Sequence, residues 1–254
     1  MAWNPNVYDQ FKSERYAPFY DLLALVDNRM NMDVLDLGCG TGELTSFLAA
    51  KLPHAMVLGV DSSAEMLEKS SVFVQEQLFF EQRGIEEQLN RETTWDLIFS
   101  NAAIQWVDDH KRLLPRMIGC LKAEGQLVVQ LPAQNDNILN QLLLELVQEP
   151  PYQEVLKSWK RVSPVLSIDA YARILFEEGA KDMTVYEKIY PIIVKNAEQL
   201  YDFIAGSALI PYFERMDART QEAFTVEFKR RISQNFPKAP AFYPFKRIVI
   251  AAKF

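Results

Sequence analysis

Two carboxylates and three glycines stand at a spacing that could hold a nucleoside. Residues 33–42 read Asp-Val-Leu-Asp-Leu-Gly-Cys-Gly-Thr-Gly. The apolar run of Val34, Leu35 and Leu37 breaks into Gly38, Gly40 and Gly42, after which Glu43 to Lys51 has helical spacing. Glycine lets a backbone turn sharply and lets a ligand lie against it. A second apolar run, Met56 to Val60, ends in Asp61, where a carboxylate can accept hydrogen bonds from a ribose diol. A tight strand-to-helix turn would account for the glycines alone. It would not account for a carboxylate at that distance.

The dinucleotide fingerprint is G-x-G-x-x-G, with a helix N-terminus aimed at a pyrophosphate. Here the spacing is G-x-G-x-G, and Asp36 sits two residues before the first glycine. A carboxylate beside the loop repels a pyrophosphate but pairs well with a cationic amino group. S-adenosylmethionine carries an ammonium, a sulfonium and a ribose, and no phosphate. Electrostatics therefore favour it over NAD as the ligand.

The elements that must position these residues alternate along the first half. Ser62-Ser63 precedes a helix from Ala64, Leu78 to Glu81 forms a short strand, and Trp95 to Ser100 forms a fourth. Asp108 to Leu121 is amphipathic with Pro115 inside it, and Gly125 opens a strand from Gln126 to Leu131. This alternation implies an α/β fold with a parallel sheet flanked by helices, binding its ligand at the carboxyl ends of the strands. The second half departs from it. Asn137 to Val147 and Ser167 to Glu178 read as helices, Thr184 to Val194 as a strand and Arg247 to Ala252 as the last strand. The roughly fifty residues between those two strands are mostly helical, too many for a simple crossover. They read as a helical cap inserted near the C-terminus.

With 254 residues, the chain is expected to form a single domain. Its expected parts are an N-terminal helical lid segment (1–28), a cofactor-binding core (33–135) and cap elements at 137–165 and 196–244. Two cysteines without CxxC spacing give neither a disulfide framework nor a zinc site, so no metal is expected. No window reaches the roughly 18 apolar residues of a membrane span, and no segment reads as an export signal, so cytoplasm is the expected location. The net charge of −7 argues against nucleic acid as a partner. Residues 217–254 nevertheless hold eight Lys/Arg against three acids, a local excess that suits a small anionic substrate.

The chain resembles the class I S-adenosylmethionine-dependent methyltransferases, and within them the trans-aconitate 2-methyltransferase family. The residues that carry this run nearly end to end. They are Trp3-Asn4-Pro5-Asn6-Val7-Tyr8, the loop from Leu35 to Thr45, the stretch from Gly59 to Leu67, and the stretch from Trp95 to His110 with its Asn101…Gln105-Trp106 pattern. Leu209-Ile210-Pro211-Tyr212-Phe213 and Phe245 to Ala251 complete them. The resemblance implies a Rossmann-like, seven-stranded, mostly parallel sheet whose last strand is antiparallel, in a monomeric enzyme that esterifies a carboxylate of a small polycarboxylic acid. Two other functions compete: a malonyl-carrier-protein O-methyltransferase, and a non-catalytic cofactor-binding protein of the same fold. The family's usual acidic residue after the third strand is absent; the segment is Glu81-Gln82-Arg83-Gly84-Ile85-Glu86, and Glu86 replaces it only if the loop shifts.

An acceptor carboxylate with a pKa near 4 is ionised at pH 7 and needs no general base, so no catalytic side chain is expected beyond positioning. For the cofactor, Asp36 is expected near the amino group, Gly38, Gly40 and Gly42 supply close backbone, and Asp61 takes the ribose. Ser62 and Met66 flank the adenine, Met66 having a plain core reading as well. Gly84 and Ile85 border the adenine edge, and Asn101, Ile104 and Gln105 fall at the methyl end. Trp106 either walls the acceptor pocket or is core. Arg and Tyr suit the remaining substrate carboxylates, which gives Tyr8, Arg15, Tyr212, Lys229 and Arg230 as candidates. His110, at a helix start, is a minor ligand candidate.

Overall fold

The computed structural model describes residues 12–254, with side chains from Tyr16 onward. The chain divides into two compact units. One comprises residues 18–132, 164–188 and 247–254; the other includes 133–163 and 189–246.

The strands are β1 (Asp33–Leu37), β2 (Met56–Asp61), β3 (Leu78–Gln82), β4 (Trp95–Asn101), β5 (Leu121–Pro132), β6 (Asp182–Val194) and β7 (Ala241–Lys253). They form one seven-stranded sheet in the order β3-β2-β1-β4-β5-β7-β6. β1 to β5 pair in parallel, whereas β7 runs antiparallel to β5, from Gln126 opposite Lys253 to Pro132 opposite Arg247. Parallel strands are covered on both faces and so need near-continuous apolar runs. Val34, Leu35 and Leu37 of β1 and Leu97, Ile98 and Phe99 of β4 meet that need; all are buried. Phe19, Leu22, Met32 and Leu48 cluster with Val34, Val57, Leu97 and Phe99. Strand order reverses at β1, with β2 on one side and β4 on the other. Sheets of this kind bind ligands at the carboxyl ends flanking such a reversal.

The other unit has its own core. Helices Ile138–Leu146, Ala197–Ala205 and Ala218–Asn235 bury Leu139, Leu143, Leu200, Phe224, Phe228 and Ile232 together with Tyr243 and Phe245. Tyr152 meets Phe224 edge to face, with ring centroids 4.9 Å apart.

Two strands, β5 and β7, start well before the sequence expectation. β7 starts at Ala241 instead of Arg247 and runs through Pro244. Only its 247–253 stretch pairs with β5, so Pro244 falls where no ladder donor to β5 is needed. β5 starts at Leu121, pairs with Trp95, and is then interrupted at Glu124, whose φ is +64°; the ladder resumes at Gln126 opposite Leu97. Among the described residues no helix is long and apolar enough to cross a membrane, and no cluster of His, Cys, Asp or Glu could hold a metal.

Candidate active site

The glycine loop leaves β1 with its geometry fixed from two sides. Gly38 and Cys39 both donate their N–H to the Val60 carbonyl at the end of β2, at 2.8 and 3.0 Å. The Leu37 carbonyl lies beyond the last β1–β4 register pair and accepts the Ser100 hydroxyl at 2.8 Å. Gly38 has φ +80°, and a Cβ there would lie 2.2 Å from the Cβ of Ala103, so only glycine lets the loop pass this close to the segment after β4. Gly40, with φ +57°, poses the opposite case: among the described residues a Cβ would meet nothing within 4 Å. Gly42 then caps the helix Glu43–Lys51 in the left-handed region.

Asp61 holds the loop to the next turn. One carboxylate oxygen accepts the Gly40 N–H and the other the Ser63 N–H, each at 2.9 Å. A carboxylate oxygen has two acceptor sites, so both oxygens can still receive a hydroxyl. Asp36 is only 4% exposed and accepts the Thr45 hydroxyl at 2.6 Å. Burial raises its pKa to about 7 against the opposing Thr45 bond, and the Asp61 charge pushes the same way as burial. No lysine or arginine pairs with it among the described residues. A cation is the ligand group that would stabilise this carboxylate. Cys39 lies between them, its thiol pushed up by burial and by both carboxylates, so it stays protonated and unreactive.

The adenine candidates gather on the β2–β3 side. Ser63 caps the helix Ala64–Ser70, its hydroxyl accepting the Met66 N–H at 3.3 Å, and Met66 is half-buried. Ser62 is exposed, and its carbonyl accepts from Gln82 at 3.2 Å. Arg83 donates its backbone N–H to the Asp61 carbonyl at 2.9 Å, which brings Gly84 and Ile85 toward the loop. Among the described residues a Cβ at Gly84 would meet nothing within 4 Å, and Ile85 Cδ1 lies 4.0 Å from the Cβ position of Gly38. Glu86 is turned away from this group, with its carboxylate 3.8 Å from Arg116.

In the segment expected at the methyl end, β4 finishes at Asn101, Ala102 takes φ +55°, and Ile104–Trp106 forms a short turn. The Gln105 side chain closes this turn by donating to the Ala102 carbonyl at 2.6 Å. Ile104 is wholly buried. Trp106 is 42% exposed, which sets aside its core reading. His110 holds the turn from behind: Nε2 lies 2.9 Å from the Ile104 carbonyl and Nδ1 2.5 Å from the Tyr171 hydroxyl. A carbonyl only accepts, so Nε2 carries the proton and Nδ1 accepts from Tyr171, whose oxygen in turn accepts the Leu166 N–H at 3.1 Å. Burial holds His110 below its usual range, so the imidazole is neutral and both nitrogens are engaged. Tyr171→Phe should therefore cost about 1–3 kcal/mol, because the buried His110 Nδ1 and the partly buried Leu166 N–H lose their partner at once. Urea unfolding checks this, and an unchanged stability would contradict the relay.

The substrate candidates are placed separately. Tyr8 lies outside the described residues, as does the side chain of Arg15. Tyr212 is buried in the helical unit, where its hydroxyl accepts the Arg161 N–H at 3.2 Å. Lys229 pairs with Glu198 at 2.7 Å, and Arg230 takes both oxygens of Glu227 at 2.7 Å. Four polar groups near the loop and the methyl end escaped the sequence reading: Thr45, Ser100, Gln130 and Arg247. Gln130 carried a readable signal, since it interrupts the apolar run from Leu127 to Leu131; Arg247, beside Lys246 at the start of the expected last strand, did not.

The Methyltransferase domain family matches residues 8–183. Along 99% of its length the chain is 41% identical to the trans-aconitate 2-methyltransferase of Deinococcus radiodurans, of which it covers 98%. The chain belongs to the trans-aconitate 2-methyltransferase family. Two solved methyltransferase-fold structures are similar to this family member in fold. The YcgJ protein of Bacillus subtilis aligns with a TM-score of 0.62 at 18% identity, over 94% of this chain and 98% of that one. Phosphoethanolamine N-methyltransferase 2 of Haemonchus contortus, solved with S-adenosylhomocysteine, aligns with a TM-score of 0.57 at 15% identity, over 93% of this chain and 52% of that one. As a methyltransferase, the protein has its glycine loop and both loop carboxylates at the reversal point of the sheet.

Proposed function

We propose that this methyltransferase transfers the methyl group of S-adenosylmethionine to a carboxylate of trans-aconitate or a closely similar small polycarboxylic acid, forming a methyl ester. The observation that carries the donor is the pair of loop carboxylates. Asp36 is buried beside the loop and suits a cation, and Asp61 keeps acceptor sites for a ribose. A pyrophosphate lying against the loop would meet repulsion from Asp36. Kinship along the whole chain supports the acceptor.

When bound, S-adenosylmethionine supplies a methyl carbon whose bond to sulfur breaks as a carboxylate oxygen attacks it, the electron pair staying on sulfur. The chain's own part is to bind and orient. Asp36 takes the ammonium, Asp61 the ribose hydroxyls, and Met66, Gly84 and Ile85 the adenine. Trp106 and the turn before it exclude water from the approach. No side chain needs to remove a proton, because the acceptor carboxylate is already ionised at pH 7. His110 is consistent with that, since both of its nitrogens are occupied in holding the turn. In this reading the enzyme is a cytoplasmic monomer.

Labelled S-adenosylmethionine, supplied with trans-aconitate or with malonyl-carrier protein, tests the proposal. Label should appear in a trans-aconitate ester. Transfer to the carrier protein alone would replace the acceptor, and transfer to neither would remove both.

A further inference from the structure

A directional chain of buried amides and one guanidinium crosses three strands to reach the methyl end. Asn101 and Gln130 are register partners on β4 and β5, and Gln130 faces Val249 on β7. Arg247 lies two residues from Val249, on the same face of the sheet and diagonal to Gln130. Arg247 donates to Gln130 Oε1 at 2.7 Å, and Gln130 Nε2 donates to Asn101 Oδ1 at 2.6 Å. Gln130 is wholly buried and Arg247 is 8% exposed.

An amide can turn over and exchange its donor for its acceptor, but a guanidinium can only donate. Arg247 therefore fixes Gln130 with its oxygen toward β7 and its nitrogen toward β4. Asn101 must accept with Oδ1, and Nδ2 is what it has left to offer. We infer that Arg247 and Gln130 are positioning residues that make Asn101 a hydrogen-bond donor for a ligand carboxylate at the carboxyl end of β4. This rests on the methyl-donor reading above. The carboxylate belongs either to the amino-acid end of the methyl donor or to the acceptor, and both have the same chemistry.

Gln130→Glu separates this from a structural role. A glutamate still accepts from Arg247 but cannot donate to Oδ1, so Asn101 turns over, gives Nδ2 to the glutamate, and presents an oxygen to the ligand. If the donor's carboxylate is recognised, calorimetry should show S-adenosylhomocysteine binding weakened about 10- to 100-fold. Binding of 5′-methylthioadenosine, which lacks that carboxylate, should stay unchanged. If the acceptor's is recognised, S-adenosylhomocysteine binding should be unchanged, and the KM for trans-aconitate should rise by about the same factor, well beyond any change in kcat. Either result supports the relay. Equal weakening of S-adenosylhomocysteine and methylthioadenosine, or no change in any of these, overturns it. Should Gln130→Glu fail to fold by circular dichroism, Arg247→Lys and Arg247→Met decide. Lysine keeps a donor and should retain binding and KM, whereas methionine should lose one of them; equal values for the two variants overturn the relay. Absence of S-adenosylhomocysteine binding by the wild type would instead refute the donor reading, and the relay with it.

Discussion

Asp61→Ala should reduce S-adenosylhomocysteine affinity by about 10²- to 10⁴-fold, because hydrogen bonds to a charged group contribute about 1.5–3 kcal/mol each and two ribose hydroxyls lose theirs. The carboxylate does more than meet the ligand. It accepts the N–H of Gly40, which is held at φ +57°, and that of Ser63, which caps the following helix. Without it both donors must find water, and the loop keeps only the Gly38 and Cys39 bonds to the Val60 carbonyl as its tie to β2. A stability loss of about 1–3 kcal/mol should accompany the loss of binding. Asp61→Asn is not a mild substitute, since its amide nitrogen would have to face one of two N–H donors. Isothermal titration and thermal denaturation measure the two effects separately. Unchanged affinity would contradict the ribose role, whatever happens to the melting temperature.

What the sequence conveys depends on how far apart the partners lie in the chain. The parallel strands are legible because burial on both faces demands apolar runs, and Val34 to Leu37 or Leu97 to Phe99 can satisfy nothing else. The loop is legible because Gly38, Gly40, Gly42 and Asp61 directly follow strand ends. Gln130 is visible only as a polar residue inside an apolar strand, and Arg247 only as one of two basic residues opening the last one. Their meaning needs the antiparallel register of β5 and β7, whose relevant residues lie 117 positions apart. His110 reads as a residue at a helix start, and nothing near it announces Tyr171, 61 positions on. The basic C-terminal stretch shows the same limit. Lys229 pairs with Glu198 and Arg231 with Glu149, acids outside the stretch, while Arg230 pairs with Glu227 inside it. The net charge of a segment does not reveal which of its charges the fold will neutralise.

Asp36→Asn should make the ligand-free protein more stable at pH 8 while weakening its hold on the methyl donor. The Asp36 pKa is raised from 3.8 to about 7, so the folded protein holds this proton more tightly than the unfolded chain does. The contribution is therefore fully present below pH 3.8, is lost as pH rises toward 7, and leaves a constant deficit above that. The distance from 3.8 to about 7 corresponds to a deficit of about 4 kcal/mol. Asparagine removes the ionisation and can still accept the Thr45 hydroxyl, but its own N–H groups need partners in a buried site. The net gain should then be about 1–3 kcal/mol at pH 8, shrinking toward pH 4. Urea unfolding at the two pH values checks both its sign and its window. Binding should move the opposite way. An ammonium beside Asp36 favours the carboxylate, so at pH 7 the wild type should release about half a proton on taking up S-adenosylhomocysteine. Calorimetry in two buffers of different ionisation enthalpy reads that proton directly. Asp36→Asn should release none from this site and bind at least about tenfold more weakly. A variant that is less stable at pH 8, with unchanged affinity and unchanged proton release, would show that the buried carboxylate serves the fold rather than the ligand.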